Sequence, residues 1–336
     1  MNHIINFCLK LLRLFPPELS SDISLKVNKV FFLIFTSFIK RNYLLKTQNK
    51  NISFLSLNFP NRIGLGAGLD KEGKYVESLG NLGFGFIEVG TFTPLPQKGN
   101  EYPRVKRLSS ENSLINRLGF NNPGIDIGLE NLRKNRSKFD GIVGVSIGKN
   151  KNTSLESAYQ DYIYCLQKAY PVADYIALNI SSPNTEGLRE LFRENYFDNL
   201  MVKINSEAKK LQKELQKFTP LFLKISPDEN EERIEEIIEC SLKNNICGFI
   251  VSNTSLGEFQ NISGGISGEL LKNKSVKILK IVNKINANRG LIISSGGIST
   301  KEDIEQRRAL GADLFQIYTS FTYQGPKVID DLLTWS

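Results

Sequence analysis

Histidine is almost absent from this 336-residue chain, and the absence removes whole classes of chemistry. The single histidine, His3, lies in the N-terminal tail. Ser-His-Asp and Cys-His catalysis both need an imidazole base, and many zinc sites use histidine ligands. The sequence therefore predicts neither kind of nucleophilic catalysis, and we expect no metal site.

Cysteine is also scarce. The four cysteines are Cys8, Cys165, Cys240 and Cys247, and no two of them have CxxC spacing. This spacing indicates neither a zinc site nor a disulfide framework. A reducing cytoplasmic setting is the expectation.

A long hydrophobic run and a dense basic block are both missing. The longest charge-free apolar run, Val30 to Ile39, is much shorter than the roughly 20 residues that cross a bilayer. Lys10 and Arg13 interrupt the preceding apolar stretch, which argues against a signal peptide. The net charge of +8 is spread over many lysines. Without a basic stripe and interleaved aromatics, we expect no nucleic-acid partner, whereas an anionic membrane surface or anionic ligands fit.

The N-terminal stretch, residues 1–46, has the pattern of two short amphipathic helices. Apolar residues recur at helical spacing from Ile4 to Phe15, and Pro16-Pro17 ends this first helix. Ser20-Ser21-Asp22 offers N-caps for a second helix, which we expect to end near Lys40-Arg41. Basic flanks favour an interfacial membrane anchor. A helical hairpin docked on the rest of the protein fits the amphipathicity equally well.

The remainder, residues 47–336, alternates apolar strands with helical patterns, after a small hairpin over Ile52 to Phe59. Parallel β-α units repeated eight times predict an α/β fold, a (β/α)8 TIM barrel with an N-terminal amphipathic helical extension. A doubly wound sheet is the alternative, but it would show fewer strands and a glycine-rich dinucleotide fingerprint. The predicted strands are Ile63–Gly66, Phe86–Val89, Ile142–Val145, Tyr175–Leu178, Leu221–Ile225, Phe249–Val251, Leu291–Ile293 and Leu314–Ile317.

Polar residues follow nearly every one of these strands, and in a barrel those ends share the catalytic face. The most informative stretch is Ala177 to Arg189, ALNISSPNTEGLR, in which a buried strand breaks into amides, hydroxyls and a rigid proline. A Ser/Pro/Asn turn without function is the alternative for this stretch alone. Eight strands with polar ends make that alternative weaker.

Glycine pairs and one lysine predict an anionic ligand. Gly296-Gly297 and Tyr318-Thr319, after the last two strands, match the usual phosphate site of a barrel. The glycine loop Gly264 to Gly268 is a further candidate for close approach to a phosphate. Lys224 lies inside an apolar strand, where a buried ammonium needs an anionic or electron-rich partner.

Taken in order, these motifs resemble the dihydroorotate dehydrogenase family from about Ile52 to the C-terminus. The motifs that carry the resemblance are GLGAGLDKEGK (64–74), GTFTPLPQKGNEYPRVKRL (90–108), NRLGFNNPG (116–124), IGKNK (147–151), NISSPNTEGLR (179–189), SNTSL (252–256), GGISG (264–268) and GGI (296–298). The N-terminal extension and the serine of NISSPN are similar to the membrane-associated, quinone-using class 2. The soluble class 1, with a cysteine base, is the near alternative.

The resemblance implies that (S)-dihydroorotate is oxidised to orotate in pyrimidine biosynthesis, with FMN taking the hydride and a membrane quinone as final acceptor. It also implies a peripheral location on the cytoplasmic side of the bacterial inner membrane, and we expect a monomer. A phosphate-binding barrel lyase with Lys224 as a Schiff base, and a barrel without enzymatic activity, are the more distant alternatives.

The resemblance also assigns roles to residues. Ser182 matches the catalytic base, with Thr185 and a water as a proton path and Phe120 as a shield from solvent. Positions that match substrate contacts are Lys71, Asn116, Arg117, Leu118, Gly119, Phe120, Asn179, Asn184, Asn253 and Thr254. Positions that match flavin contacts are Ala67, Gly68, Leu69, Asp70, Lys71, Thr91, Ser146, Asn179, Lys224, Ser252, Gly268, Gly297, Tyr318 and Thr319. Ser146 departs from the asparagine usual in class 2, which predicts a weaker contact or a bridging water there.

Overall fold

The structure, a computed structural model, describes residues 11–47, 51–185, 187–192, 194–259 and 261–334. Eight parallel strands form a closed barrel in the order β3-β4-β7-β8-β9-β10-β13-β14. Their bounds are β3 Ile63–Leu65, β4 Phe86–Phe92, β7 Ile142–Ile147, β8 Tyr175–Leu178, β9 Leu221–Ile225, β10 Gly248–Val251, β13 Leu291–Ser295 and β14 Leu314–Ile317. The predicted (β/α)8 barrel is confirmed, strand by strand.

The barrel strands are apolar on both faces because both faces are covered. Every residue of β4, β7, β8, β9 and β10 is buried. One apolar cluster fills the barrel interior, and a larger one lies between the strands and the outer helices. The predicted hairpin, β1 Ile52–Phe54 and β2 Leu57–Phe59, closes the N-terminal end of the barrel, where the rings of Phe59 and Phe86 pack 5.6 Å apart.

Helices surround the barrel in chain order. They are α2 Val76–Gly80, α3 Ile125–Lys134, α4 Ala158–Ala169, α5 Glu194–Leu215, α6 Glu231–Lys243, α7 Glu269–Asn286, α8 Lys301–Ala309, α9 Thr319–Gln324 and α10 Lys327–Leu333. The short 3-10 turns are Ser109–Glu111 and Leu188–Phe192. The helical patterns of the sequence over Glu231 to Lys243 and Lys301 to Ala309 coincide with α6 and α8, and α7 extends the pattern over Leu270 to Ile285 by one residue at each end.

A second sheet lies over the C-terminal end of the barrel, and the sequence patterns did not predict it. Its antiparallel strands, in the order β11-β12-β6-β5, are β5 Val105–Leu108, β6 Ser113–Asn116, β11 Ser255–Phe259 and β12 Ile262–Gly268. The sheet joins segments that are about 150 positions apart, for example Gly265 opposite Asn116. Such long-range pairing of short polar strands leaves no local signal.

The N-terminal extension contains one long helix, α1 Pro17–Thr47, whose helical geometry breaks at Phe35. Most of the predicted first helix, Ile4 to Phe15, lies outside the described residues. The predicted N-cap at Ser20-Ser21-Asp22 is wrong. The helix begins at Pro17, where a proline costs nothing because the first N–H has no helical partner, and the hydroxyl of Ser20 instead donates to the Leu12 and Pro16 carbonyls.

Helix α1 is docked on the barrel by few side chains. Leu25, Phe32 and Tyr43 are buried against the rest of the protein. An ion pair of 2.7 Å joins Glu18 to Arg104, and the ammonium of Lys29 donates to the Lys74 carbonyl at 3.0 Å. Within the part of the chain that the structure describes, none of the helices has both the length and the hydrophobicity needed to cross a bilayer.

Candidate active site

A cavity of about 390 Å³ lies at the C-terminal ends of the barrel strands, beneath the second sheet. This volume is within the range of small-molecule sites. Its wall combines glycines, hydroxyls and amides with few charges. The predicted site residues that line it are Ala67, Gly68, Lys71, Thr91, Asn116, Leu118, Gly119, Phe120, Asn179, Ser182, Asn184, Lys224, Ser252, Asn253, Thr254, Gly268, Gly297, Tyr318 and Thr319.

Four predicted contact residues, Leu69, Asp70, Arg117 and Ser146, do not line the cavity. Leu69 packs in the outer apolar cluster. The buried carboxylate of Asp70 accepts from the backbone N–H groups of residues 72, 74 and 75, so it shapes the loop that presents Lys71. Arg117 turns outward to the carbonyls of residues 101 and 103. These side chains therefore contact other parts of the protein and do not face the cavity.

Ser146 lies directly behind Thr91 at the end of β7. Its hydroxyl is fully buried and 2.9 Å from the Thr91 hydroxyl, and the Asn179 amide donates to the same Thr91 oxygen at 2.9 Å. The short serine side chain is therefore satisfied inside the protein. At this point of the wall Thr91, and not Ser146, lines the cavity.

The amides form two hydrogen-bonded groups, which come from the loops after β8 and β10 and from the end of β6. The Asn253 amide donates to Asn179 Oδ1 at 3.1 Å and to Ser181 Oγ at 3.0 Å. Across the cavity, the Asn184 amide donates to Asn116 Oδ1 at 2.9 Å. Asn116 itself is anchored to the Gly265 carbonyl. Fixed amides of this kind present donors and acceptors together, which suits a ring with alternating N–H and C=O groups.

Ser182 sits on the loop after β8, almost buried but open to the cavity. Its Oγ accepts from the backbone N–H of Asn184 at 3.3 Å. Nearby in sequence, the buried hydroxyl of Thr185 makes no hydrogen bond with the described residues. Phe120 lines the cavity in a left-handed backbone conformation, with φ at +52°.

Lys224 has a buried partner that the sequence analysis missed. Its ammonium lies 3.5 Å from Glu88 Oε1, and Glu88 is completely inaccessible to solvent. The other oxygen of Glu88 accepts from Tyr175 Oη at 3.1 Å and from the Gln316 amide at 2.9 Å. Glu88 is the one charged residue of the apolar run FIEV, as Lys224 is of LFLKI. Two opposite charges in two buried strands were the feature of the sequence from which this ion pair could have been predicted.

Lys71 supplies a second cation to the cavity wall, from the loop after β3. Burial lowers the pKa of its ammonium below the ordinary value of 10.5, and the carboxylate of Glu18 on α1 acts in the opposite direction. A bound anion would restore the favoured charge. The cavity therefore presents Lys71 from the loop after β3 and Lys224 from strand β9.

The far end of the cavity has the features of a phosphate site. Gly296 and Gly297 have φ of +99° and +71°, and a Cβ on Gly297 would lie 2.6 Å from Lys272 Cα, so only glycine fits. The hydroxyls of Ser267 and Thr319 meet there at 2.8 Å.

The guanidinium of Arg307, fully buried behind the turn, donates to the Gly296 carbonyl at 2.6 Å. Burial lowers the pKa of Arg307 to about 10.

The proposed role of Gly264 and Gly265 in phosphate approach is wrong. Both lie in β12 of the second sheet and neither lines the cavity. A Cβ on Gly264 would lie 2.4 Å from the Asn116 carbonyl oxygen, and one on Gly265 would lie 2.2 Å from Thr254 Oγ1. These glycines permit close packing of protein on protein, and only Ser267 and Gly268 of this motif reach the cavity.

The cavity also opens toward the N-terminal segment. Arg13 lines its mouth and donates to the Tyr323 carbonyl at 2.9 Å, while Arg107 donates to the Phe15 carbonyl at 2.7 Å. Val105 and Leu114 of the second sheet add apolar surface there. The opening thus lies between the barrel and the segment that leads into α1.

Comparison with known proteins decides among the readings that the sequence left open. The family model of dihydroorotate dehydrogenase matches residues 50–334. The chain belongs to the dihydroorotate dehydrogenase family. It is therefore an oxidoreductase, and neither a Schiff-base lyase nor a barrel without activity. The family catalyses dihydroorotate oxidation in pyrimidine biosynthesis and is generally flavin-dependent.

Similar members of this family are named dihydroorotate dehydrogenase (quinone). The dihydroorotate dehydrogenase (quinone) of Vibrio cholerae is 42% identical over 298 residues, which cover 87% of this chain and 88% of the relative. That of Pectobacterium atrosepticum is 43% identical over 292 residues, covering 85% and 86%. A crystal structure of DHODH from Eimeria tenella in complex with ferulenol superposes with a TM-score of 0.82 at 31% identity, covering 94% of this chain and 89% of that one.

Proposed function

We propose that the protein oxidises (S)-dihydroorotate to orotate in this cavity, with FMN as the cofactor and a membrane quinone as the final electron acceptor. The observation that carries the proposal is one continuous cavity with three chemically distinct parts. A glycine turn suits a phosphate, an amide set suits a pyrimidine, and a mouth beside the N-terminal segment is open to an apolar acceptor. When bound, FMN would supply the site that accepts the hydride from C6 of the substrate.

The wall fits a flavin on structural grounds. The turn at Gly296 and Gly297 and the hydroxyls of Ser267 and Thr319 would hold the phosphate. Gly68 and Gly90, with φ of +106° and +97°, also line the cavity, so these two wall positions carry no side chain. Lys224 would offset negative charge on the reduced ring.

The residues around the substrate would have two tasks, to hydrogen-bond to the edge of the pyrimidine ring and to remove one proton from it. Asn116, Asn179, Asn184, Asn253 and Thr254 would grip the alternating donors and acceptors of the pyrimidine. The Oγ of Ser182 would take the proton from C5. A neutral serine is a weak base, so the proton must move on, and the unpartnered hydroxyl of Thr185 is a candidate for the next step.

The N-terminal helix would bring the mouth of the cavity to the membrane. Seven large apolar side chains of α1 between residues 27 and 38 are exposed, and they are Val27, Val30, Phe31, Leu33, Ile34, Phe35 and Phe38. An amphipathic helix with such a face lies in the interface of a bilayer without crossing it. A peripheral location on the inner membrane, facing the cytoplasm, follows from this proposal, and so does the access of a long-tailed quinone.

An anaerobic titration tests the proposed function. The purified full-length protein should show a visible flavin spectrum that bleaches on adding dihydroorotate and recovers with a quinone, but not with fumarate or NAD. A flavin spectrum that dihydroorotate leaves unchanged would contradict the assigned substrate. Recovery with fumarate or NAD would contradict the assigned acceptor.

A further inference from the structure

A charged cluster outside the cavity joins two of the loops that carry predicted substrate residues, those of Ser182 and Asn253. At its centre is Asp228, in the turn after β9, with one-sixth of its side chain exposed. Its Oδ1 accepts from Ser255 Oγ at 2.5 Å and from the ammonium of Lys274. Its Oδ2 accepts from Arg189 Nη1 at 2.6 Å and from the backbone N–H of Leu256 at 2.8 Å.

Arg189 carries the connection to the other loop. Its Nε donates to the Ser181 carbonyl at 3.1 Å, and its Nη2 donates to the Thr254 carbonyl at 3.3 Å. One guanidinium therefore touches the residue before Ser182, the residue after Asn253, and Asp228 itself. Only a planar fork with several donors can bridge three acceptors in this way.

The carboxylate of Asp228 is stabilised in its charged form although it is partly buried. Burial alone raises the pKa of the Asp228 carboxyl, but its four hydrogen bonds outweigh burial and leave the pKa below the ordinary value of 3.8. Arg189 and Asp228 are each about four-fifths buried, so their interaction is less screened than that of a surface pair. Neither side chain lines the cavity.

We propose that Asp228 and Arg189 are positioning residues, which together hold the Ser182 loop and the Asn253 loop at the separation that the reaction requires. Ser182 and Thr254 both lie beyond the ends of their barrel strands, and the clasp formed by Arg189 and Asp228 ties the two loops to a third loop. A misplacement of about 1 Å in such a site costs roughly 100-fold in rate. The inference rests on the proposed function.

The test separates the two half-reactions in the full-length, flavin-loaded protein. Asp228→Asn keeps the size of the side chain but removes the charge that accepts from Arg189. Under anaerobic stopped flow, the limiting rate of flavin reduction by dihydroorotate should fall roughly 100-fold, and orotate should bind more weakly. Flavin content, and reoxidation of dithionite-reduced enzyme by a short-tailed quinone, should not change.

A second variant guards against misfolding of the first. Arg189→Lys keeps the positive charge, but one ammonium cannot bridge three acceptors, so it should show the same selective defect. The double variant should be no worse than either single one, because both break the same clasp. Glu239→Gln is the matched control and should behave as wild type, because it breaks an exposed pair with Arg289, next to the start of β13 and so at the opposite end of the barrel.

The outcomes are distinct. A normal reduction rate in Asp228→Asn and Arg189→Lys would overturn the inference. So would equal losses of flavin content, reduction and reoxidation, since these indicate only a structural role, or additive defects in the double variant. A wild-type flavin that dihydroorotate does not reduce would instead overturn the proposed function.

Discussion

The barrel buries its large apolar side chains, whereas helix α1 exposes many of the same residue types. In the barrel, the large side chains of the strands are buried, and polar groups appear where the strands end. In α1, Leu25, Phe32 and Tyr43 are buried, while Ile34 and Phe38 are 67% and 57% exposed. The apolar surface of the barrel strands is covered by the barrel interior and by the surrounding helices. Within the residues that the structure describes, no other segment covers the exposed face of α1, which favours a second apolar phase as its partner.

The two regions also differ in the chemistry that they offer. The barrel end presents fixed amides, hydroxyls and two lysines, which suit a polar, anionic substrate. The N-terminal side of the same cavity presents apolar surface and Arg13. We therefore expect changes in the barrel to affect the dihydroorotate half-reaction, and changes on the exposed face of α1 to affect only the quinone half-reaction.

The largest effect is expected from Ser182→Ala. Loss of the proton acceptor should slow flavin reduction by dihydroorotate by about 10² to 10⁴-fold. The flavin spectrum and the reoxidation of chemically reduced enzyme should remain as in wild type. Stopped-flow absorbance under anaerobic conditions measures both rates. Reduction at the wild-type rate would show that another group takes the proton.

Glu88→Gln comes next and tests the buried pair beneath the cavity. Leaving Lys224 buried beside a neutral amide should lower the free energy of unfolding by about 3–5 kcal/mol. The double variant Glu88→Gln/Lys224→Met should recover part of this loss, because it removes the unpaired charge. Urea unfolding of the flavin-free proteins gives the comparison. Equal stability of Glu88→Gln and wild type would contradict the role of this pair.

The exposed face of α1 is tested by Ile34→Ser combined with Phe38→Ser in the full-length protein. Removing two apolar contacts should cost roughly 3 kcal/mol and weaken binding to anionic vesicles about 100-fold. Substitution is cleaner than deletion, since deletion would uncover the barrel surface under Leu25 and Phe32. Val202→Ser on α5, where Val202 is 56% exposed, is the control and should bind as wild type. Equal vesicle binding of all three proteins would contradict a membrane face.

A smaller effect is expected from Gly297→Ala. The left-handed backbone costs an alanine roughly 1–2 kcal/mol, and the clash with Lys272 adds to it, so flavin should bind about tenfold or more weakly. Gly187→Ala is the control, because its φ is +67° but nothing lies within 4 Å of its Cβ. Fluorescence titration of the flavin-free proteins measures the affinity. Unchanged affinity in Gly297→Ala would remove the glycine turn from the phosphate site.

Local patterns were enough to predict the barrel, because each buried parallel strand is a continuous apolar run. They were also enough to bring most of the site together, since the polar groups follow those runs directly. The pattern could not show that Glu88 faces Lys224, because strands β4 and β9 are not neighbours in the barrel. The sequence pattern also could not separate two kinds of glycine pair. Gly264 and Gly265 are packed closely against other parts of the protein, whereas Gly296 and Gly297 line the cavity.

The least predictable features depend on pairing across long stretches of chain. The second sheet pairs β6 with β12, and the charged cluster around Asp228 joins Arg189, Asp228 and Lys274 from three separate segments. Each of these charged residues reads as a solvated surface residue in its own segment. Ser146 is similar, since only the fold shows that Thr91 stands between it and the cavity.

The most direct test of the division between barrel and helix compares two quinones on one enzyme. Flavin reduced by dihydroorotate is reoxidised either by a short-tailed quinone in water or by a long-tailed quinone held in vesicles. In the Ile34→Ser/Phe38→Ser protein, reduction and reoxidation by the soluble quinone should match wild type, while reoxidation by the vesicle-held quinone should be much slower. Equal rates with the vesicle-held quinone, or equal losses with both quinones, would contradict the account.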